Sequence, residues 1–211
     1  MWNWNAEKTA KWLIPAIEMP WLSERWQSLG FREVLDNGCG PGRHGIYFAN
    51  KGFAVTGLDQ SADALNYFEN WAKETGVSVT AVRGDIFELP FPDNSFDAII
   101  DYNVSYHTDT AGFFKAVSEL RRVVRPGGEI YMTLLSQSNP GFQSAPAEEH
   151  VDEYTLVHDG GTPHFYGKKE HFDKIFAGFT MAVPVREIRT AGLDNPKEST
   201  HYHLLLKKES L

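Results

Sequence analysis

Short aliphatic and β-branched runs alternate along this chain with stretches whose apolar positions recur every three or four residues. The first kind of run predicts strands and the second predicts amphipathic helices. Strands are expected at 33–36, 54–59, 77–82, 96–102 and 129–135. A helix is expected over 43–50. A second follows Ser61, a good N-cap, with Leu65, Phe68 and Ala72 on one face and Gly76 at its end. A third carries Phe113, Val117, Leu120 and Val124 and is stopped by Arg125-Pro126-Gly127-Gly128. Residues 136–167 contain Pro140, Pro146 and Pro163 and read as a lid or substrate loop rather than as regular structure. A helix at 168–176 and strands at 180–188 and 202–206 close the pattern. The last two strands leave little room for a crossover helix, so they predict an antiparallel hairpin at one edge. The alternation predicts an α/β fold: a seven-stranded, mostly parallel sheet with helices on both faces and an antiparallel last strand.

Ahead of this pattern, residues 1–30 hold Trp2, Trp4, Trp12, Trp21 and Trp26 and predict one or two helices broken at Pro15 and Pro20. Such a segment either packs on the sheet or covers a ligand, where an aromatic face would favour a cation. At 211 residues the chain fits a single domain, 1–211. A net charge of −8 gives no bulk attraction for phosphate backbones, so nucleic acid is not an expected partner. The one cysteine, Cys39, excludes an intrachain disulfide and a multi-cysteine zinc site. No apolar run is long enough to span a bilayer, and the first residues do not read as a secretory signal. A cytoplasmic protein with no membrane partner is expected; the oligomeric state is left open.

The chemistry concentrates at Asp36-Asn37-Gly38-Cys39-Gly40-Pro41-Gly42-Arg43. Glycines between a strand and a helix let backbone approach a ligand and aim helix N–H groups at an anionic end. Gly40 to Gly45 also fits the GxGxxG pattern of nicotinamide and flavin binders. Asp36 argues otherwise, because a carboxylate there suits an ammonium and a sulfonium and would repel a pyrophosphate. Asp59 ends the second strand and can accept both hydroxyls of a ribose. Asp85, with Ile86 and Phe87, suits the edge and face of an adenine.

Together these pieces resemble a class I S-adenosylmethionine (SAM)-dependent methyltransferase, a Rossmann-like fold. The matching segments are 34–42, Val55-Thr56-Gly57-Leu58-Asp59-Gln60-Ser61, the run from Gly84 to Asp97, and that from Glu119 to Gly128. They cover about residues 33–135, in order and at the family's spacing. The variety resembled is the one called type 11, which acts mostly on small molecules; some tellurite-resistance-type methyltransferases are similar in length and final strand. The resemblance implies that Asp36, Gly38, Cys39 and Gly40 cradle the methionine moiety. It further implies Asp59 at the ribose, Gln60, Asp85 and Ile86 at the adenine, and Tyr102 and Asn103 along the cofactor. Asn37 departs from the family's usual aliphatic residue and requires a hydrogen-bond partner if it points inward.

The acceptor end is expected just past the fourth strand, where ligands bind in open α/β sheets. There His107 is the candidate base or acceptor contact and Tyr106 an aromatic wall; the alternative is that His107 caps a helix or bonds a backbone carbonyl. His164 and Tyr166 form a second candidate pair for the acceptor, against a loop merely packed on the sheet. Asp101-Tyr102-Asn103-Val104 lacks the Pro-Pro-aromatic signature of nucleic-acid or glutamine amide methylation, and no cysteine is placed for cytosine C5 chemistry. His201 and His203 share a strand face, but with no third ligand no metal site is expected. Glu148-Glu149-His150-Val151-Asp152-Glu153 is either a solvated face or a selector of cationic acceptors. The expected activity is methyl transfer from SAM to a small molecule. Two competing readings remain, a non-catalytic SAM-binding module and an NAD(P)-dependent oxidoreductase. Tyr47 and Lys51 supply the latter's Tyr-x-x-x-Lys pair, but on the wrong helix.

Overall fold

A computed structural model describes residues 13–157, 161–190 and 198–210; Trp2, Trp4 and Trp12 lie outside them. Five parallel strands, β1 (Glu33–Asn37), β2 (Ala54–Asp59), β3 (Val79–Arg83), β4 (Phe96–Asp101) and β5 (Val124–Ser136), stand in the order β3-β2-β1-β4-β5. Helices α1 (Met19–Ser28), α2 (Arg43–Asn50) and α3 (Ala62–Thr75) cover one face, and α4 (Thr110–Val123) covers the other. Alternation along the strands feeds both cores. Val34, Ala98 and Ile100 face α1–α3, whereas Leu35, Ile99 and Met132 join Phe113 and Leu120 of α4. Ser61 caps α3 as expected, accepting the Ala64 N–H at 3.3 Å, and Gly76 closes it in the left-handed conformation.

Several expectations change, beginning with the sheet, which has ten strands among the described residues rather than seven. Pro20 does not break α1; it sits in the first turn, where its missing N–H costs nothing. The strand expected at 180–188 is two strands, β8 (Phe179–Met181) and β9 (Arg186–Thr190), separated around Pro184. Both pair antiparallel with the long β10 (Ser199–Lys208), which itself runs antiparallel to β5. The helix expected at 168–176 is a 3-10 turn followed by the short α6 (Phe172–Ile175).

The segment read as an irregular loop contains α5 (Pro140–Ser144), β6 (Thr155–Leu156) and β7 (His164–Gly167). β7 is part of the sheet. β4 stops at the pair Asp101–Met132, leaving that flank of β5 open, and β7 runs parallel there through Leu135–Tyr166 and Ser136–Gly167. Asp152 ties the same segment down. Its Oδ1 accepts the Thr110 hydroxyl at 2.8 Å and the Tyr154 and Thr155 N–H groups at 2.8 and 2.7 Å, so at least this member of the acidic run is a structural brace.

α1 is anchored by one carboxylate. Glu129 of β5, fully buried, accepts Arg25 Nη2 and Nε at 2.6 and 2.9 Å and the indole N–H of Trp26 at 3.0 Å. Glu129→Gln keeps an acceptor for Trp26 but loses the charged fork. It is expected to lower the unfolding free energy by about 1–3 kcal/mol, measured by urea denaturation; an unchanged midpoint would show that the fork contributes nothing.

Candidate active site

The carboxyl ends of β1, β2 and β4, with the loops after β3 and β4, surround a cavity of about 550 Å³. Its lining includes Asp36, Gly38, Cys39, Asp59, Gln60, Asp85, Ile86, Tyr102, Asn103, Tyr106, His107 and His164. Twelve of the sequence-derived residues are thus brought together. Two are not on the wall. Gly40 lies behind it, its N–H bonded to Asp59 Oδ2 at 2.9 Å. Tyr166 is buried in the core against Phe142, with ring centroids 4.8 Å apart, and is corrected from acceptor contact to packing residue.

The glycine turn follows from close packing. Gly38 has φ +63°, and a Cβ there would lie 2.6 Å from Val104 Cγ1. Gly42 has φ +94°, and its Cβ would fall 1.9 Å from Phe68 Cδ2, inside the ring of α3. The turn therefore nests between Val104 and Phe68. Asp59 Oδ2 and Oδ1 accept Gly40 N–H and Ser61 N–H at 2.9 and 2.8 Å, fixing the turn to the end of β2. Cys39 is buried and burial pushes its thiol up, away from a nucleophilic thiolate.

Asp36 is buried, and loss of water raises its carboxyl to about 7 against the opposing Gly45 N–H and Arg43 charge. Its Oδ2 accepts Gly45 N–H at 2.9 Å. Asn37 finds a partner for its amide nitrogen only: Nδ2 donates to Asp101 Oδ1 at 2.9 Å, Ser105 Oγ donates to the same oxygen at 2.9 Å, and the buried Asn37 Oδ1 and Asp101 Oδ2 have no hydrogen-bond partner among the described residues. Burial raises Asp101 to about 6. Asn103 adopts φ +58° beside the cavity and is held twice by Thr133. Its N–H donates to Thr133 Oγ1 at 2.8 Å, and that hydroxyl donates to Asn103 Oδ1 at 2.9 Å. Asp85 Oδ1 accepts the Phe87 N–H at 2.9 Å, which turns the loop after β3.

The methyltransferase-domain family model matches residues 34–128. A ubiquinone/menaquinone biosynthesis C-methyltransferase of Bdellovibrio bacteriovorus is 36% identical over 174 residues, 81% of this chain and 69% of the relative. The chain belongs to the class I SAM-dependent methyltransferases.

Among solved structures, a SAM-dependent methyltransferase of Methanosarcina mazei matches this family member with a TM-score of 0.72 at 18% identity, over 85% of this chain and 93% of that one. The 1,6-didemethyltoxoflavin-N1-methyltransferase of Burkholderia thailandensis, solved with 1,6-didemethyltoxoflavin and S-adenosylhomocysteine bound, matches at 0.67 and 18% identity over 92% and 79%. At these identities the likeness shows the shared fold. Three other curated relatives are matched over 26% to 47% of their own lengths.

Past β4 the cavity is lined by Tyr106 and His107. Tyr106 is buried, its hydroxyl 3.3 Å from His201 Nε2. His107 faces the cavity and does not cap α4, a role taken by Asp109. His107 Nδ1 lies 2.9 Å from His164 Nε2, and His164 Nδ1 lies 2.9 Å from the Thr162 carbonyl. Crowding by protein, then the neighbouring His164 and His201, lowers the His107 imidazole below its ordinary range, opposed by the Asn103 carbonyl. Burial lowers His201 to about 4. His203 is not paired with His201; its Nδ1 meets Tyr131 Oη at 2.6 Å and Glu18 Oε1 at 3.4 Å. Sequence reasoning missed Arg43, His44 and Thr162, which also line the cavity. His44 is buried, its Nε2 accepting the Ala16 N–H at 3.3 Å, a contact between the segment before α1 and α2 with no sequence signal. No helix of the described residues is long and apolar enough to cross a membrane.

Proposed function

We propose that this protein transfers a methyl group from SAM to a small-molecule acceptor, with His107 as the base that receives the acceptor's proton. The supporting observation is the single cavity with carboxylates Asp36, Asp59 and Asp85 toward one end and the imidazoles of His107 and His164 toward the other. In this reading SAM supplies a methyl group on an activated sulfur: the acceptor's lone pair bonds the methyl carbon, the C–S pair stays on sulfur, and the proton passes to His107. The chain supplies alignment and exclusion of water, worth about 7–11 kcal/mol in well-oriented reactions.

Asp36 and the Gly38–Gly40 turn would hold the methionine end, Asp59 the ribose, and Gln60, Asp85 and Ile86 the adenine. Cys39 contributes its backbone, and Tyr102 and Asn103 line the cofactor. Tyr106 would form an apolar wall beside the acceptor, and the acceptor is a small molecule met in the cytoplasm. The GxGxxG coincidence is outweighed by Asp36, whose buried carboxyl opposes a pyrophosphate. Isothermal titration with SAM and with NADH tests the reading: saturable SAM binding is expected, and NADH binding without SAM binding would reject it.

The raised Asp36 carboxyl predicts a pH dependence of known sign. Its folded value, about 7, exceeds the ordinary value of 3.8. Between these values the unfolded chain has lost the proton and the folded chain keeps it, so this contribution to stability falls as pH rises through the window. A cationic ligand favours the ionised form. SAM affinity is therefore expected to rise as pH increases from about 6 to 8, by at most about tenfold per pH unit. The rise should vanish in Asp36→Asn. A flat profile in the unaltered protein would remove Asp36 from the cation site.

A further inference from the structure

Two imidazoles from distant parts of the chain meet at the acceptor end, and their bonds form a directed chain. Thr162 carbonyl, His164 Nδ1, His164 Nε2 and His107 Nδ1 follow one another at 2.9 and 2.9 Å. A carbonyl oxygen only accepts, so His164 Nδ1 carries the proton toward Thr162. In a neutral His164 the other nitrogen is then bare and accepts. His107 must donate from Nδ1, and a neutral His107 is left with its lone pair on Nε2. No other assignment satisfies both bonds when both rings are neutral.

The backbone holds this pair in place. Phe165 N–H donates to the Tyr106 carbonyl at 2.8 Å, so the residues adjoining His164 and His107 are stitched together. Tyr166 N–H donates to the Tyr154 carbonyl at 2.7 Å, and β7 is paired with β5. Phe165 stacks on Phe113 of α4 with ring centroids 4.0 Å apart. The Tyr106 and His107 rings lie 4.4 Å apart, and His201 closes the group from β10.

We propose that His164 is a positioning residue that locks His107 in the Nδ1–H tautomer and so presents the His107 Nε2 lone pair as a hydrogen-bond acceptor. The proposal rests on the methyltransferase reading of this cavity and narrows its substrate: the acceptor carries an O–H or N–H that donates to Nε2. As the acceptor's lone pair forms the bond to carbon, its proton moves to Nε2. The imidazolium so formed keeps its Nδ1–H on His164, which carries the orienting bond through the step. The groups facing His107 in this arrangement are Tyr106 and the Asn103 backbone carbonyl on its own segment, His164 of β7 and His201 of β10.

The test reads tautomers directly and needs no acceptor. Long-range 15N–1H imidazole spectra of the full chain at pH 8 are expected to show His107 and His164 each protonated at Nδ1. In His164→Leu the His107 tautomer ratio should invert toward Nε2–H. His164→Gln, whose side-chain oxygen can accept from His107 and whose amide can donate to Thr162, should restore Nδ1–H. Finding His107 protonated at Nε2 in the unaltered protein, or unchanged in His164→Leu with a matching melting curve, overturns the proposal. If His164→Leu fails to fold, the unaltered protein and His164→Gln still decide it. S-adenosylhomocysteine titrated into the same samples separates the two readings. Its Kd should be the same, within about twofold, in all three proteins, and its failure to bind any of them would reject the cofactor reading while leaving the tautomer result intact.

Discussion

Asp59→Ala is expected to weaken SAM binding by on the order of 10²–10⁴-fold, measured by isothermal titration. A carboxylate that accepts two ribose hydroxyls contributes about 1.5–3 kcal/mol per charged hydrogen bond, and about 1.4 kcal/mol is tenfold in Kd. The carboxylate also has a second task, because its two oxygens accept Gly40 N–H and Ser61 N–H. Each oxygen has a further lone pair, so holding the turn and holding a ligand are compatible. Alanine removes both at once. Asp59→Asn keeps one accepting oxygen but sets an NH2 donor against the other backbone N–H, so it is expected to lower both the melting temperature and the affinity, each by less than alanine does. An unchanged Kd in Asp59→Ala would withdraw the ribose role altogether.

Phe68→Ala is expected to cost about 3–5 kcal/mol of stability, the range for deleting a fully buried aromatic ring. For a domain of this size that corresponds to a fall in Tm on the order of 10 °C. Phe68 is fully buried in α3, and the space it fills is shaped by glycines. A Cβ on Gly42 would lie 1.9 Å from its ring, on Gly57 2.5 Å and on Gly45 2.9 Å. The ring is thus the plug on which the turn after β1 and the end of β2 rest. Removing it should also weaken SAM binding, since Gly38–Gly42 loses its support from below. Urea denaturation with calorimetry checks the first effect, and titration of the surviving folded protein checks the second. A loss below about 1 kcal/mol would mean that the turn stands without the plug.

The parallel half of the sheet is legible because each of its signals is local. β1, β2 and β4 follow from apolar runs, α3 from the Ser61 cap and the Leu65, Phe68 and Ala72 spacing, and the turn from its glycines. The cofactor end of the cavity is legible for the same reason: Asp36, Asp59 and Asp85 stand at or just past the ends of the three strands, and a parallel sheet necessarily brings those ends together. The antiparallel edge was less legible. One apolar stretch became β8 and β9 because Pro184 interrupts it and β10 is long enough to pair with both. Tyr166 stood next to plausible chemistry and shares a strand face with His164, yet it lies further along β7, paired with Leu135 of β5, and its ring went to Phe142.

By itself, then, the sequence determined the order of elements, the parallel sheet and the three carboxylates gathered at one rim, because local patterning and strand polarity suffice for these. Only the tertiary structure decided the other end of the cavity. His107 and His164 are joined because β4 ends early, exposing a flank of β5 that β7 occupies. The Asn37 amide nitrogen is paired because Asp101 ends the neighbouring strand, and Asn103 holds its left-handed turn because Thr133 lies across from it. The physical reason is common to all three. Each depends on one strand's length or register against another, a long-range quantity that no window of sequence encodes.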